Sequence, residues 1–332
     1  MQLVGIDVSA KTLAVHLQSS QGSRQRFTVD NTRSGHQKLC RRLTESGEPT
    51  RVALEATGLY SLDIALALVC QAEVALMMVN PRSLRDFARA ALRRSKTDAV
   101  DAEVLLEYCQ RMRFQPWQPP APAALELRAI SRRIADLTDL LTQERNRLHA
   151  VSVVSSLGSV VLQDLEGHLR HLEGRIEALQ TQAWRLIEGQ ADLQQKAQLL
   201  VSTPGIARKS AIHLLAELCV LPRDMEARQW VAYAGLDPRS YDSGSSVHKP
   251  PQISRCGNPH LRRFLYMPAL VAVRCDPHVQ AFYNQLVTRG KKPLQALVAV
   301  MRKLLHSLHG MLRHHTPFDG AKFRYLETPT AS

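Results

Sequence analysis

The stretch Leu3-Val4-Gly5-Ile6-Asp7-Val8 begins the chain with an apolar, β-branched run that a single carboxylate interrupts. Such a run predicts a β-strand, and similar runs at residues 13–17 and 26–29 are separated from it by turn-forming Ser, Gly and Gln. We therefore predict an antiparallel meander of three strands. An acid inside an apolar strand is costly to bury without a partner, so Asp7 is a candidate functional residue.

Strand and helix signals alternate after the meander. An amphipathic stretch at residues 34–44 precedes a strand at 51–54, a helix at 59–70 and a strand at 74–79, and helical signal resumes from Thr97. This alternation predicts an α/β domain with a central mixed sheet. A stretch with four prolines at residues 115–122 breaks the pattern, and we place the end of the first domain, residues 1–115, there.

The sequence pattern predicts that the rest of the chain is mostly helical. Residues 116–198 hold the proline linker and two long apolar patterns around a break near residues 155–159, which predict a helical hairpin or a coiled-coil arm. Residues 199–326 form a third domain, followed by a tail at 327–332. The turn at residues 203–207 is either a helix-hairpin-helix that offers N–H groups to a phosphate or an ordinary corner of the core.

Charge is distributed unevenly along the chain. Among 332 residues, 43 Lys and Arg face 30 Asp and Glu, a net charge of +13, and +10 of it lies in residues 199–332. This excess predicts a polyanionic partner that contacts mainly the C-terminal part, the alternative being a solvated basic surface. With 45% hydrophobic residues the chain is folded rather than disordered, but charge alone does not distinguish DNA from RNA.

Other function classes are disfavoured by what the sequence lacks. It has no run of 18 apolar residues and no basic start followed by an apolar stretch, so we expect a cytoplasmic protein without a membrane span. Its six cysteines are scattered without a CxxC pair, which argues against a zinc site and against a disulfide framework.

Four acids stand out by their context. Asp7 lies in the first strand, Glu55 ends the strand at 51–54, and Asp98 and Asp101 share one face of a helix because they are three residues apart. Taken singly, each acid can also be explained by an ordinary structural role, as a turn, surface or capping residue. Together they predict an oxygen-only site for Mg²⁺, with Mn²⁺ as the alternative, of the kind that serves phosphodiester chemistry.

Four segments of the first domain form a recognisable set: Gly5-Ile6-Asp7-Val8-Ser9, Leu54-Glu55-Ala56-Thr57-Gly58, Val79-Asn80-Pro81 and Lys96-Thr97-Asp98-Ala99-Val100-Asp101-Ala102. They closely resemble the DEDD transposases of bacterial insertion sequences, a family that includes the Piv invertase and bridge-RNA-guided recombinases. The resemblance implies a bacterial protein whose RuvC-like, RNase H-fold domain binds Mg²⁺ through Asp7, Glu55, Asp98 and Asp101. The chain departs from the family pattern around Lys11, which Ala10 precedes.

A second candidate site is a segment rich in hydroxyl groups at residues 234–266. It holds Ser240, Ser243, Ser245 and Ser246, and chemistry alone does not choose among them or exclude a plain polar loop. The resemblance implies that Ser243, which Gly244 follows, is a nucleophile that forms a phosphoserine link. Residues that we expect to contact nucleic acid are Lys96, Arg239, Lys249, Arg255, Asn258, Arg262 and Arg263.

These observations lead to one function hypothesis and two rivals. The hypothesis is a DNA transposase or recombinase that works on target and donor DNA, guided by a bridge RNA of its element, as a homo-oligomer from dimer to tetramer. One rival is a RuvC-like junction resolvase with a water nucleophile. The other is a non-catalytic, architectural nucleic-acid-binding protein.

Overall fold

A computed structural model describes residues 1–92, 97–153, 159–243 and 247–323 of the chain. For residues 98, 99, 240–243 and 247–251 it describes the backbone alone. The chain divides into two compact units, Met1–Pro119 and Pro120–Ser332, which are taken in turn below.

The first unit contains five strands and four helices among its described residues. They are β1 (Gln2–Val8), β2 (Thr12–Gln18), β3 (Arg24–Asp30), α1 (Arg33–Thr44), β4 (Thr50–Glu55), α2 (Leu62–Val69), β5 (Val74–Val79), α3 (Pro81–Ala90) and α4 (Asp98–Arg111). The strand order is β3-β2-β1-β4-β5. β1, β2 and β3 pair antiparallel, whereas β4 is parallel to both β1 and β5, which confirms the meander and the mixed sheet.

Helices cover both faces of this sheet. On one face, Leu39 of α1 and Ile64 of α2 pack with Ile6 of β1. On the other face, Leu84 of α3 and Leu105 of α4 belong to a second cluster with strands β4 and β5. The strands β1 and β4 are therefore buried on both sides, which explains their nearly continuous apolar character.

Helix α3 was not predicted from the sequence. The sequence predicts a strand at 74–79 and further helix only from Thr97, but the side chain of Asn80 accepts a hydrogen bond from Arg82 N and caps a helix in which Pro81 is the first residue. Proline is favoured at this position because the first N–H groups of a helix have no partner inside it.

The second unit is mostly helical. Its described elements are α5 (Pro122–Ser152), α6 (Ser159–Glu188), α7 (Ala191–Val201), α8 (Arg208–Leu218), α9 (Ala227–Tyr233), β6 (Pro238–Ser243), β7 (Val247–Ile253), α10 (Pro259–Cys275), α11 (Pro277–Thr288) and α12 (Pro293–His314). One large apolar cluster joins these helices, and a smaller cluster of leucines joins α5 to α6. The chain thus has a mixed α/β sheet followed by a mostly helical region.

The segment around Ser243 is not the loop suggested by its composition. Strands β6 and β7 pair antiparallel from Pro238↔Ile253 to Ser243↔Val247, with an irregularity between Arg239 and Tyr241. Two adjacent prolines in β7 hide the strand signal, and a two-stranded ribbon tolerates them because it has open edges.

No helix in the described parts of the chain combines the length and the apolar character needed to cross a membrane.

Candidate functional site

Two of the predicted acids lie side by side at one end of the sheet. The parallel register of β1 and β4 runs as far as Ile6↔Leu54, and Asp7 and Glu55 are the next residues on the two strands. Neighbouring strands are about 4.8 Å apart, so the two backbones hold these carboxylates close together. Asp7 is buried and Glu55 is half-buried.

Both acids face helix α4. Side chains alternate along a strand, so Asp7 lies on the same face as Gly5. A Cβ atom on Gly5 would lie 2.2 Å from Ala102 O and 2.3 Å from Leu106 N, both of which belong to the backbone of α4. Glycine is therefore required at this position, because only a residue without a side chain lets the helix approach β1 so closely.

Helix α4 begins at the end of the sheet that carries the acids. Near its C-terminus, Cys109 Sγ contacts Arg51 O at 3.9 Å, and Arg51 pairs with Leu3 at the start of β1. The helix therefore runs opposite to β1, and its first turn lies toward Asp7. From Gly5 to Asp7 the strand rises about 6.6 Å, and the four residues from Ala102 back to Asp98 span about 6 Å.

The other two predicted acids, Asp98 and Asp101, belong to the first turn of α4. Thr97 caps the helix, its Oγ1 accepting a hydrogen bond from Val100 N at 3.3 Å. Asp101 is half-buried in this turn, and Asp98 is the first residue of the helix. Carboxylates are favoured there because the N-terminus of a helix carries partial positive charge. We call Asp7, Glu55, Asp101 and the backbone position of Asp98 the acidic edge.

The chemistry of the acidic edge suits a divalent cation. Its donors are carboxylate oxygens, which Mg²⁺ and Mn²⁺ prefer. In the loop that follows Glu55, Thr57 Oγ1 is buried with no hydrogen-bond partner among the described residues. Among the described side chains, no three His, Cys, Asp or Glu residues form a metal cluster by themselves, and the side chain of Asp98 lies outside that set.

In the second unit, the base of the β6–β7 hairpin is held by backbone contacts. Ser254 N donates to Asp237 O at 2.9 Å, and Arg255 N donates to Gly235 O at 3.1 Å. Gly257 packs so tightly that a Cβ there would lie 2.2 Å from Tyr233 O. Because Ser243 is the last residue of β6, it lies about 16 Å along the strand from Pro238 at this base, where it pairs with Val247.

A buried ionic cluster beneath this hairpin was missed from the sequence. Glu217 is fully buried in α8, where Arg132 Nε lies 2.9 Å and Arg128 Nε 3.4 Å from its carboxylate oxygens. Burial alone would raise the pKa of Glu217, but the Arg132 hydrogen bond, both arginine charges and Asn258 lower it below its usual value. The signal in the sequence was a single carboxylate within the apolar run of α8.

Asn258 has an internal role in this cluster rather than the expected contact with nucleic acid. Its Nδ2 donates to Glu217 Oε2 at 2.6 Å and to the Tyr233 hydroxyl at 3.2 Å. Its Oδ1 accepts from His260 N and Leu261 N and so caps α10. The amide is buried and its hydrogen-bonding groups are used within the protein, which leaves none for a phosphate or a base.

The other basic candidates have varied surroundings. Arg262 Nη1 donates to Ala234 O at 2.8 Å, and exposed Arg263 forms a two-pronged ion pair with Asp139. Arg239 and Arg255 are also exposed. Lys96 and the side chain of Lys249 lie outside the described residues.

The turn at residues 203–207 has a packing explanation. Gly205 has a positive φ of 90°, and a Cβ there would lie 2.4 Å from Pro268 O of α10. Ile206 is buried, and the buried hydroxyl of Thr203 contacts Met311. This arrangement favours a corner of the core over a phosphate-binding hairpin.

An α/β unit with carboxylates at one end of its sheet, followed in the chain by a basic helical unit, suits an enzyme that cuts and transfers DNA strands. Comparison with known proteins gives the family. A DEDD-type model described as a transposase matches residues 4–152, and the model of the transposase IS116/IS110/IS902 family matches residues 197–284. The chain belongs to this family of transposases and recombinases, whose DEDD-type members typically use a divalent metal.

Related proteins match along most of the chain. The pilin gene-inverting protein of Moraxella bovis is 30% identical over 320 residues, which cover 95% of this chain and 97% of that protein. The pilin gene-inverting protein of Moraxella lacunata is similar to the same extent. The transposase for insertion sequence element IS1328 of Yersinia enterocolitica is 24% identical over 297 residues, 81% of this chain and 83% of that protein.

Proposed function

We propose that this transposase cuts and rejoins DNA through a covalent link to Ser243, with Mg²⁺, or alternatively Mn²⁺, bound by Asp7, Glu55, Asp98 and Asp101. One observation carries the metal part of the proposal. Two carboxylates occupy neighbouring ends of parallel strands, on the face where helix α4 begins with two further acids. Like charges are tolerated so close together when a cation neutralises them.

The topology supports an RNase H-like, RuvC-like assignment for the first unit. An antiparallel meander followed by two parallel strands, in the order β3-β2-β1-β4-β5, places the first and fourth strands side by side in the centre. The central strands are where such a domain needs its acids, because their ends are held by neighbours on both sides.

The chemistry assigned to Ser243 balances as a transesterification. The Oγ–P bond forms while one P–O bond to deoxyribose breaks, the serine proton passes to solvent, and the leaving oxygen takes up a proton. A hydroxyl of another strand then attacks the phosphoserine, which reseals DNA and releases Ser243. A divalent ion at the acidic edge supplies charge neutralisation on the phosphate.

A trapped covalent adduct tests the serine. Wild-type protein incubated with DNA of its element and Mg²⁺ should give a protein–DNA band that survives denaturation, whereas Ser243→Ala should not. Asp7→Asn and chelation by EDTA should also abolish the band. Cleavage by Ser243→Ala without an adduct would favour the resolvase with a water nucleophile. Undiminished recombination by Asp7→Ala would refute the metal site and favour an architectural protein.

We further propose that a bridge RNA encoded by the element pairs with target and donor DNA. The excess of +10 charges in residues 199–332 supports a large nucleic-acid surface in the second unit, with Arg239, Lys249, Arg255, Arg262 and Arg263 as contacts and Lys96 as another in the first unit. Sequencing RNA that copurifies with the protein tests this. A structured RNA encoded beside the gene is expected, and its absence would favour a protein-only invertase.

Recombination joins two DNA duplexes, so we propose a dimer or tetramer as the working form. The α5–α6 hairpin supports this, because Leu140 and Val160 are exposed along it at 41% and 76%. Light scattering of the protein with and without DNA measures the mass. A monomer in both states would refute the assignment.

A further inference from the structure

Hydrogen bonds order the loop that follows Glu55. Gly58 adopts a positive φ of 74°, and Ser61, only 1% exposed, donates its hydroxyl hydrogen to Gly58 O at 3.2 Å. Asn31 Nδ2 donates to Tyr60 O at 3.1 Å. These contacts give the backbone of residues 58–61 a defined course next to the acidic edge.

Asn31 also joins this loop to the end of β1. Its Nδ2 donates to Ser9 O at 2.9 Å, two residues beyond Asp7, and its Oδ1 accepts a hydrogen bond from His36 Nε2 at 2.7 Å. This half-buried amide group thus joins the segment after Asp7 to the loop that follows Glu55.

Two large side chains of this loop are nevertheless exposed. Leu59 is 80% exposed and Tyr60 59% exposed. Holding apolar groups in water is unfavourable, and a fixed exposed pair is typical of a binding surface. We call Leu59 and Tyr60 the apolar shelf.

A cavity adjoins the apolar shelf. It has a volume of about 580 Å³ and lies between helices α1 and α2, on the face of the sheet opposite to α4, with both shelf residues in its wall. Leu66 and Ala67 give it apolar surface, Gln37 and Gln71 give it amide groups, and Arg33 and Asp63 are the charged residues of its lining. A flat apolar ring with hydrogen-bonding edges suits this mixture of groups.

We propose that the apolar shelf binds an unpaired nucleobase of the strand that passes over the acidic edge, with Tyr60 stacked on the base. This inference rests on the proposed function, since it requires nucleic acid at that edge. Bases stack on aromatic rings regardless of sequence, and the nearby amides can hydrogen-bond to their edges. Arg33 in the cavity wall and Lys11, whose neighbour Ala10 lines the cavity, are exposed and would neutralise flanking phosphates. Tyr60 is a positioning residue that holds the strand so that a phosphate reaches the acids.

Fluorescence of 2-aminopurine tests this, because the emission of this base responds to stacking. Single-stranded DNA and RNA oligonucleotides with the probe at successive positions are titrated with the full-length protein in EDTA, which prevents cleavage. We expect an emission change at one or two positions with wild type and with Tyr60→Phe. With Tyr60→Ala the change should disappear and binding should weaken about 5- to 150-fold. Comparison of DNA with RNA identifies the source of the base.

Leu59→Ser and Leu294→Ser provide matched variants. Both remove an exposed leucine side chain, but only Leu59 belongs to the shelf, so only Leu59→Ser should weaken binding. Wild-type emission and affinity in Tyr60→Ala and Leu59→Ser would overturn the proposal. A change in the oligomer mass of these two variants without a change in their nucleic-acid binding would also overturn it. A normal emission change in a protein that forms no adduct would refute the serine mechanism but leave the shelf intact.

Discussion

Gly5→Ala tests whether the close approach of α4 to β1 builds the acidic edge. The new Cβ would lie 2.2 Å from Ala102 O and 2.3 Å from Leu106 N, whereas ordinary contacts begin at 3.4 Å, so the helix must move by about 1 Å. Overpacking costs about 1–3 kcal/mol, and we expect the upper end because backbone atoms cannot rotate away. Misplacing catalytic groups by about 1 Å lowers the rate about 100-fold.

Urea unfolding and single-turnover DNA cleavage, compared at equal folded protein, measure the two effects. Gly174→Ala is the control, because this glycine lies within α6 and a Cβ there meets no atom within 4 Å. It should leave cleavage unchanged and stabilise the helix by about 0.5–1 kcal/mol. Adding Ala102→Gly to Gly5→Ala should not restore activity, since the clash is with the carbonyl oxygen. Wild-type unfolding and cleavage by Gly5→Ala would refute the packing argument.

Three further predictions concern the second unit. Glu217→Gln should lower the free energy of unfolding in urea by about 3–5 kcal/mol at pH 7, because it leaves buried arginine charge uncompensated. Since the folded state lowers the pKa of Glu217, the difference in unfolding free energy between this variant and wild type should shrink below pH 4.5, and a constant difference would contradict this. Burial, with the charge of Arg263, lowers the pKa of His213 from 6.5 to about 4, so the neutral form of this side chain stabilises the fold above pH 6.5 and that stability is lost as the pH falls. Between pH 7 and pH 4, the free energy of unfolding of wild type should fall by about 3 kcal/mol more than that of His213→Gln, and equal losses would refute the assignment. Gly205→Ala should lower the unfolding midpoint without changing the salt dependence of DNA binding, whereas a reduced salt slope would restore the phosphate-binding interpretation.

The elements predicted best are those whose burial imposes a strict period. Strands β1 and β4 are predictable from the sequence because both of their faces are covered by helices. Helices α5 and α6 are predictable because a long apolar stripe joins them. Helix α3 was missed because Asn80-Pro81 can end a strand or begin a helix, and the choice depends on the packing of Leu84. The β6–β7 hairpin was missed because its pairing leaves no apolar alternation.

The candidate site divides in the same way. The acids were found because a carboxylate in an apolar strand is conspicuous, and the family resemblance nominated Ser243 from its neighbours in the sequence. Glu217 was equally conspicuous in α8, but its partners Arg128 and Arg132 are 85 or more residues away in the chain, so their pairing could not be read from local pattern. Asn258 was assigned to nucleic acid for the same reason, since only the fold shows that its amide is already used.

The sequence alone determined which residues are candidates for chemistry: an acid in each of two apolar strands, an acidic pair three residues apart, and a basic C-terminal part. Tertiary structure alone decided that Asp7 and Glu55 are neighbours, because their proximity follows from the parallel register of β1 and β4 across more than forty residues. It also decided that α4 begins beside them, because the missing side chain of Gly5 lets the helix lie against β1 in the opposite direction. Pairing and close packing act between distant parts of the chain, so no local pattern records them.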